Sequence, residues 1–273
     1  MSPPATWDGC VRGWWLYAQQ PTHKRRVAQA IAIARDGAAK MAASNEGHGP
    51  NRGKGFGAIS GGKDSVALAG IMAEAGLEVT YCHASTELNV PGMDTASEET
   101  AERLGLTLEV IEPDVDVWEL LRTCDLKRGE HDRSDFYSAI AAGNMLVQYA
   151  YEVGFAGSYS GMRADESRGR KMNFRNRGPT YQYTTDRQWM CSPLAWWSAT
   201  DVFAFLVSRE LPIHPYYKMW TDRFREAPDH ARVDLVITRE NVSRNGAMAV
   251  VRLFYPDLWR RIVAARPELA RET

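Results

Sequence analysis

Apolar side chains between residues 55 and 161 recur in two alternating periods. Short apolar runs at Gly55–Ser60, Glu78–Ala84, Thr107–Glu112 and Phe155–Gly161 read as strands. Between them the apolar spacing lengthens to three and four residues over Ser65–Glu74, Thr95–Leu104 and Asp135–Val153, the period of a helix with one buried face. Strand and helix alternating through short loops predict an α/β fold, a doubly wound parallel sheet with helices on both faces. Ahead of it, residues 5–43 carry helical spacing through Val27, Ala30, Ile31 and Ile33, and a polar, Gly-rich stretch at 44–54 leads into the first strand. Behind it, Ser198-Ala199-Thr200-Asp201 reads as a capping box for a helix over Asp201–Glu210. The expected organisation is a helical extension and linker over 1–54, the α/β domain over 55–217 and a helical tail over 218–273, with helical segments at both ends of the sheet.

Composition narrows the class without choosing a function. The 273 residues suit one large domain or a domain with appendages. Thirty-three basic and 34 acidic side chains leave a formal net charge of −1, so no global field draws the whole chain to nucleic acid or membrane. No apolar run approaches the roughly 20 residues that span a bilayer. Met1-Ser2-Pro3-Pro4 lacks the basic region and apolar core of a secretory signal. A cytoplasmic protein with no membrane partner is expected. Cys10, Cys82, Cys124 and Cys191 lie far apart with no C-x-x-C pair, which argues against zinc, an iron–sulfur cluster or a dithiol pair. Cys82 falls in a strand run and reads as core, whereas Cys191 is the candidate reactive thiol.

The most chemically informative segment is Ser60-Gly61-Gly62-Lys63-Asp64-Ser65, where the first strand run ends and a helical run begins. Two glycines allow a tight turn whose N–H groups converge, the helix adds its positive end, and Lys63 adds a charge. The loop is a cradle for phosphate. It departs from the Walker A pattern in carrying Asp64 where a magnesium-binding hydroxyl belongs. A carboxylate there repels phosphate unless a cation intervenes, so Asp64 is expected to hold Mg²⁺. Both Lys63 and Asp64 are expected to face solvent.

A second cluster follows the fourth strand run. Between positions 163 and 177 stand Arg163, Arg168, Arg170, Lys171, Arg175 and Arg177, five arginines to one lysine. The planar guanidinium fork suits phosphate or sulfate, although a charge run also fits a solvated loop. In a doubly wound sheet the ligand crevice lies where the strand order reverses, between the first and fourth strands. Motif and topology therefore converge on Ser60–Ser65 and Gly161–Arg170. His214, before Pro215, is a weaker candidate, since a lone histidine more often has a structural role.

These segments resemble the phosphoadenosine phosphosulfate (PAPS) reductase family, within the adenine-nucleotide alpha-hydrolase (PP-loop ATP pyrophosphatase) superfamily. The resemblance rests on Ser60–Ser65, Gly161–Arg168, Ser192-Pro193-Leu194-Ala195-Trp196-Trp197 and Leu211–Tyr216. It implies ATP or PAPS as nucleotide, with Mg²⁺. Ser60, Gly61, Gly62, Lys63 and Ser65 would hold the phosphates, and Gly161 and Arg170 would lie over them. Ser85 would stand near the sugar, where the family has an Asp-Thr-Gly-like turn and this chain has Ser85-Thr86-Glu87. Lys63, Asp64, Arg163 and Arg168 would carry the catalysis. The family's reductases attack with a cysteine in a C-terminal Glu-Cys-Gly-Leu-His tail, which this sequence lacks. The expected reaction is therefore adenylylation of an acceptor with release of pyrophosphate, and a thiol-dependent reductase is the alternative. The acceptor is an oxyanion, sulfate being suggested by a similarity to sulfate adenylyltransferase small subunits, or a nucleic acid in a modifying or sulfur-transfer system. A partner protein or a second copy of the chain completes the expected partners.

Overall fold

The computed structural model describes residues 5–123, 142–185, 187–231, 233 and 247–271. Among them six strands form one sheet: β1 (Gly55–Ala58), β2 (Thr80–Ala84), β3 (Thr107–Ile111), β4 (Gly157–Tyr159), β5 (Thr180–Gln182) and β6 (Trp189–Cys191), in the order β3-β2-β1-β4-β6-β5. β1 pairs in parallel with β2 and β4, β2 with β3, and β4 with β6. The doubly wound α/β fold is thus present, and the strand order reverses between β1 and β4 as anticipated. The outer strand β5 runs antiparallel to β6, a pair that the apolar pattern did not announce. Each of these strands is three residues long, too short to express a period of two.

Residues 5–43 divide into α1 (Trp7–Ala18) and α2 (Pro21–Ala43). The break has local causes: α1 is capped by Thr6, which accepts the Gly9 N–H at 3.2 Å, and Pro21 opens α2, where a missing N–H costs nothing. The helix after β1, α3 (Lys63–Glu74), starts two residues earlier than the apolar spacing suggested. Val66, Ala67, Leu68, Ala69, Ile71 and Met72 are fully enclosed along it. α4 (Met93–Leu104) and α5 (Val117–Thr123) follow β2 and β3, and α6 (Ala142–Glu152) precedes β4. The start of the expected helix Asp135–Val153 lies outside the described residues, as does Cys124.

Past β4, the arginine cluster is not a loop throughout. It runs from a turn into α7 (Arg168–Arg177), whose N-cap Ser167 accepts the Arg170 N–H at 3.1 Å. α8 (Ala199–Ser208) opens with the anticipated Ser198–Asp201 capping box. α9 (Pro215–Phe224), α10 (Ala247–Phe254) and α11 (Pro256–Ala265) complete the described helices.

The N-terminal helices share the main core with α3 and α8. Trp14 stacks on Phe203 with ring centroids 4.3 Å apart. Gly37 on α2 lies so close to β6 that a Cβ there would come within 2.4 Å of Cys191 Sγ.

Asp201 anchors this packing. Its carboxylate is enclosed and accepts the Ser198 N–H at 2.7 Å, the Tyr17 hydroxyl at 2.9 Å and an Arg26 guanidinium N–H, with His23 3.5 Å away. Burial alone would push its pKa up; the partners, His23 and Ser198 foremost, outweigh that and hold it well below the usual carboxylate range. A depressed folded pKa means stability that is present above the unfolded value of about 4 and lost as pH falls below it. We predict that Asp201→Ala lowers the unfolding free energy by about 3 kcal/mol at neutral pH, because buried donors lose their acceptor. Urea unfolding at pH 7 and pH 3 checks this: the gap between wild type and variant should narrow at the acidic pH.

Candidate functional site

The loop between β1 and α3 lies at the reversal point, where the carboxyl ends of parallel strands leave a crevice. Gly61 adopts a φ of 66°, and a Cβ there would approach the Met93 carbonyl oxygen to 2.5 Å, so both conformation and space require glycine. Ser65 knits the turn: its Oγ accepts the Ser60 N–H at 3.1 Å and donates to the Gly62 carbonyl at 2.9 Å. The N–H groups of Gly61, Gly62, Asp64 and Ser65 find no acceptor among the described residues. At the start of a helix, such groups form an anion site.

Lys63 does not face solvent. Starting α3 early places it in the first helical turn, 2% exposed. Its Nζ donates to Asp64 Oδ2 at 2.9 Å and to the Ala231 carbonyl at 3.4 Å, and lies 5.6 Å from the Tyr217 ring centroid. Its backbone N–H donates to the Tyr217 hydroxyl at 3.0 Å. Asp64 remains partly open, its side chain 24% exposed.

Arg163, also 2% exposed, crosses from the turn after β4 to the loop after β1. Its Nε donates to Asp64 Oδ1 at 2.7 Å, and its Nη1 to Asp165 Oδ1 at 2.6 Å and to the Trp197 carbonyl at 3.4 Å. Burial opposes its charge, but Asp64, Asp165 and Glu166 together raise its pKa. The crossing is possible because Gly161 touches the loop, and a Cβ at that position would meet the Asp64 carbonyl oxygen at 2.9 Å. The expectation that Arg163 clamps a ligand therefore needs correction. Its fork is occupied by carboxylates of the protein, and it joins the two sides of the crevice. Arg170 pairs with Glu166, whose carboxylate also accepts the Arg163 N–H at 3.0 Å. Arg168, the first residue of α7, is exposed, and its side chain has no partner among the described residues.

Magnesium was expected at Asp64. Both carboxylate oxygens are instead taken by Lys63 and Arg163, and among the described residues no three His, Cys, Asp or Glu side chains converge. The cations that offset Asp64 in this loop are two side chains. The donor set does not fit a resident divalent ion, and no step below is routed through one.

Beyond the carboxyl ends of β2 and β3 opens a cleft of about 430 Å³, lined among others by Ser85, Glu87, Asp94, Glu112, Asp116 and Trp118. Ser85 is on its wall, but its hydroxyl donates to Asp94 Oδ2 at 3.1 Å. Glu87 is held by the Trp118 indole N–H at 2.7 Å and by Arg261, which favour its charged form and lower its pKa. Asp94 also meets His83 Nε2 at 2.6 Å, while His83 Nδ1 lies 2.8 Å from the carbonyl of Ile59, the residue just before the loop. Sequence reasoning missed His83, Asp94 and Tyr217. His83 is the penultimate residue of β2 and Asp94 stands in the first turn of α4, positions that a carboxyl-end search would have reached; Tyr217 gave no local signal.

His214 is buried, and that burial lowers its pKa. Its Nδ1 accepts the Tyr216 N–H at 3.1 Å, capping α9, and its Nε2 lies 3.1 Å from the Pro91 carbonyl. It is a structural residue. Among the described thiols, burial pushes Cys191 up to about 11 and Cys82 up to about 12, and it raises the half-buried Cys10 as well.

Comparison with solved structures finds similarity at low identity. A phosphoadenylyl-sulfate (PAPS) reductase from Candida auris, in a phosphate complex, is 13% identical, with a TM-score of 0.51, covering 85% of this chain and 100% of that one. An FMN adenylyltransferase from Candida glabrata in complex with ATP is 16% identical, with a TM-score of 0.49, 76% of this chain and 65% of that one being covered. The NMN synthetase from Francisella tularensis gives 14% identity, a TM-score of 0.47 and coverage of 92% and 95%. No curated protein sequence matches the chain. The model of the phosphoadenosine phosphosulfate reductase domain matches residues 56–223. That span runs from the phosphate-type loop through the Arg163 turn to the helix bearing Tyr217, the parts that the fold brings together, and the chain belongs to the phosphoadenosine phosphosulfate reductase domain family.

Proposed function

We propose that the chain binds ATP, breaks the bond between its α and β phosphates and passes AMP to an acceptor oxyanion. The acceptor oxygen attacks the α phosphorus, the bond to the bridging oxygen breaks, and pyrophosphate leaves with the electron pair. The observation that carries this reading is the row of unengaged N–H groups at Gly61, Gly62, Asp64 and Ser65. They stand at the positive end of α3, in a loop whose carboxylate is already offset by Lys63 and Arg163. Such fixed dipoles meet the charge that grows on leaving pyrophosphate without having to reorient. The cleft beside Ser85 has the volume of a small-molecule site. Its acidic lining suits the hydroxyls and amino group of a nucleoside and repels phosphates, which favours a pose with the base in the cleft and the phosphates at the loop.

Reduction by a thiol is the weaker reading. An attacking cysteine needs a lowered pKa and access, and the three described thiols are buried or half-buried with raised values.

Because Lys63 is enclosed, Lys63→Ala would open a cavity as well as remove a charge, so Lys63→Met is the cleaner variant. We expect it to fold and to release labelled pyrophosphate from ATP about a hundredfold more slowly, the usual cost of one charge-stabilising group. Wild-type release would remove the loop from the reaction.

Arg168 is the arginine with an open fork at the crevice. Arg168→Lys keeps the charge and loses the bidentate geometry, so calorimetry should show weaker ATP or sulfate binding, by about fivefold. Equal affinities would take Arg168 out of the site.

A further inference from the structure

We infer that the outer face of α7, together with the half-buried Tyr183 just past β5, is a binding surface for single-stranded nucleic acid. The helix carries five cations in ten residues and no carboxylate. Its single fully buried side chain is Phe174, which meets Trp196 edge-on at 6.1 Å and fixes which face points outward. Arg168, Lys171 and Arg175 follow one another at spacings of three and four, so they form one stripe. All three are exposed and have no side-chain partner among the described residues. Lys40, Arg122, Lys218 and Arg260 each pair with a carboxylate one turn away. On α7 Arg170 pairs in the same way with Glu166, whereas Arg168, Lys171 and Arg175 do not.

The stripe is also too long for a small anion. From Arg168 to Arg175 the helix rises about 10 Å, so its cations reach more than one phosphate of a chain. Beyond its far end stand the buried Tyr181 and the half-buried Tyr183. The Arg177 guanidinium lies 4.1 Å from the centroid of Tyr181 and 5.5 Å from that of Tyr183, and the two rings meet edge-on at 5.4 Å. Cations that track a backbone beside a ring on which a base stacks are the means by which proteins hold single strands, and Tyr183 is the partly open ring here. Ser167 caps the near end of the helix, which places Arg168 beside the Arg163 turn and the crevice. A strand on this surface would reach the proposed adenylylation site, and the inference rests on that proposal only in making the strand the acceptor.

The test uses the full chain and labelled single-stranded DNA and RNA of about 16 nucleotides, with anisotropy followed across a salt series. Lys171→Gln/Arg175→Gln should weaken binding about tenfold and reduce the slope of log affinity against log salt by about 1.4, the share of two phosphate contacts. Tyr183→Ala should weaken binding about fivefold or more with the slope unchanged. ATP affinity of the double variant should equal that of wild type, since neither side chain approaches the loop. Equal affinity and slope in wild type and double variant would overturn the inference, as would absence of binding by wild type at low salt. Duplex bound as tightly as single strand, with Tyr183→Ala silent, would refute the single-strand assignment. If wild type binds the oligonucleotides but releases no pyrophosphate from ATP, the adenylylation reading fails and the surface stands; release without oligonucleotide binding gives the reverse.

Discussion

The Asp64 carboxylate, held by Lys63 on one side and Arg163 on the other, is the contact on which the crevice depends. Reversal of strand order between β1 and β4 leaves a gap, since consecutive strands there run to opposite sides of the sheet. Arg163 bridges that gap from the β4 side and ends on a residue of the loop after β1. An enclosed arginine without carboxylates would be prohibitively costly, as would an enclosed lysine. A carboxylate without cations would drive phosphate away. Each of the three charges is tolerable only because of the other two, and the arrangement turns an apparent defect of the loop into its counter-charge.

The strut is itself supported from the N-terminal helices. The Arg163 guanidinium donates to the Trp197 carbonyl, the Trp197 indole N–H donates to the Arg26 carbonyl at 3.3 Å, and Arg26 pairs with Asp201. Tyr17 reaches the same carboxylate. α1 and α2 thus contribute to the placement of a site in which they have no residue. On the opposite side, Tyr217 and the Ala231 carbonyl close over Lys63. The loop is pinned by segments from before and after the sheet.

What could be read from the sequence followed the range of each signal. The loop, β1 and the capping box of α8 are written in neighbouring residues, so local pattern was enough. The strand alternation was enough to place the reversal point. α7 escaped because only Phe174 along it is enclosed, and one apolar residue cannot express a period. The burial of Lys63 escaped because Tyr217 and Ala231 lie more than 150 positions away, with separations of 154 and 168. The same reason hid the true role of Arg163: its partner Asp64 is 99 residues earlier. An arginine that looks like a ligand clamp in a list of charges becomes a strut once topology sets a carboxylate beside it.

Family membership and reaction also separate on physical grounds. The fold conserves a geometry for holding phosphates, which is made largely of backbone and helix termini. The reductive chemistry associated with the family name needs something else, a thiol poised as thiolate. Here the described thiols are spent on packing: Cys191 faces Gly37 across the seam between α2 and β6, and Cys82 lies inside β2. A thiolate at either position would be a bare charge in an apolar setting, which burial opposes. The same scaffold can serve a reaction whose electrostatic work is done at the loop and whose second substrate approaches along the cationic face of α7. In that arrangement specificity for the acceptor is a property of surface added beside β4, while the phosphate chemistry stays with the loop after β1.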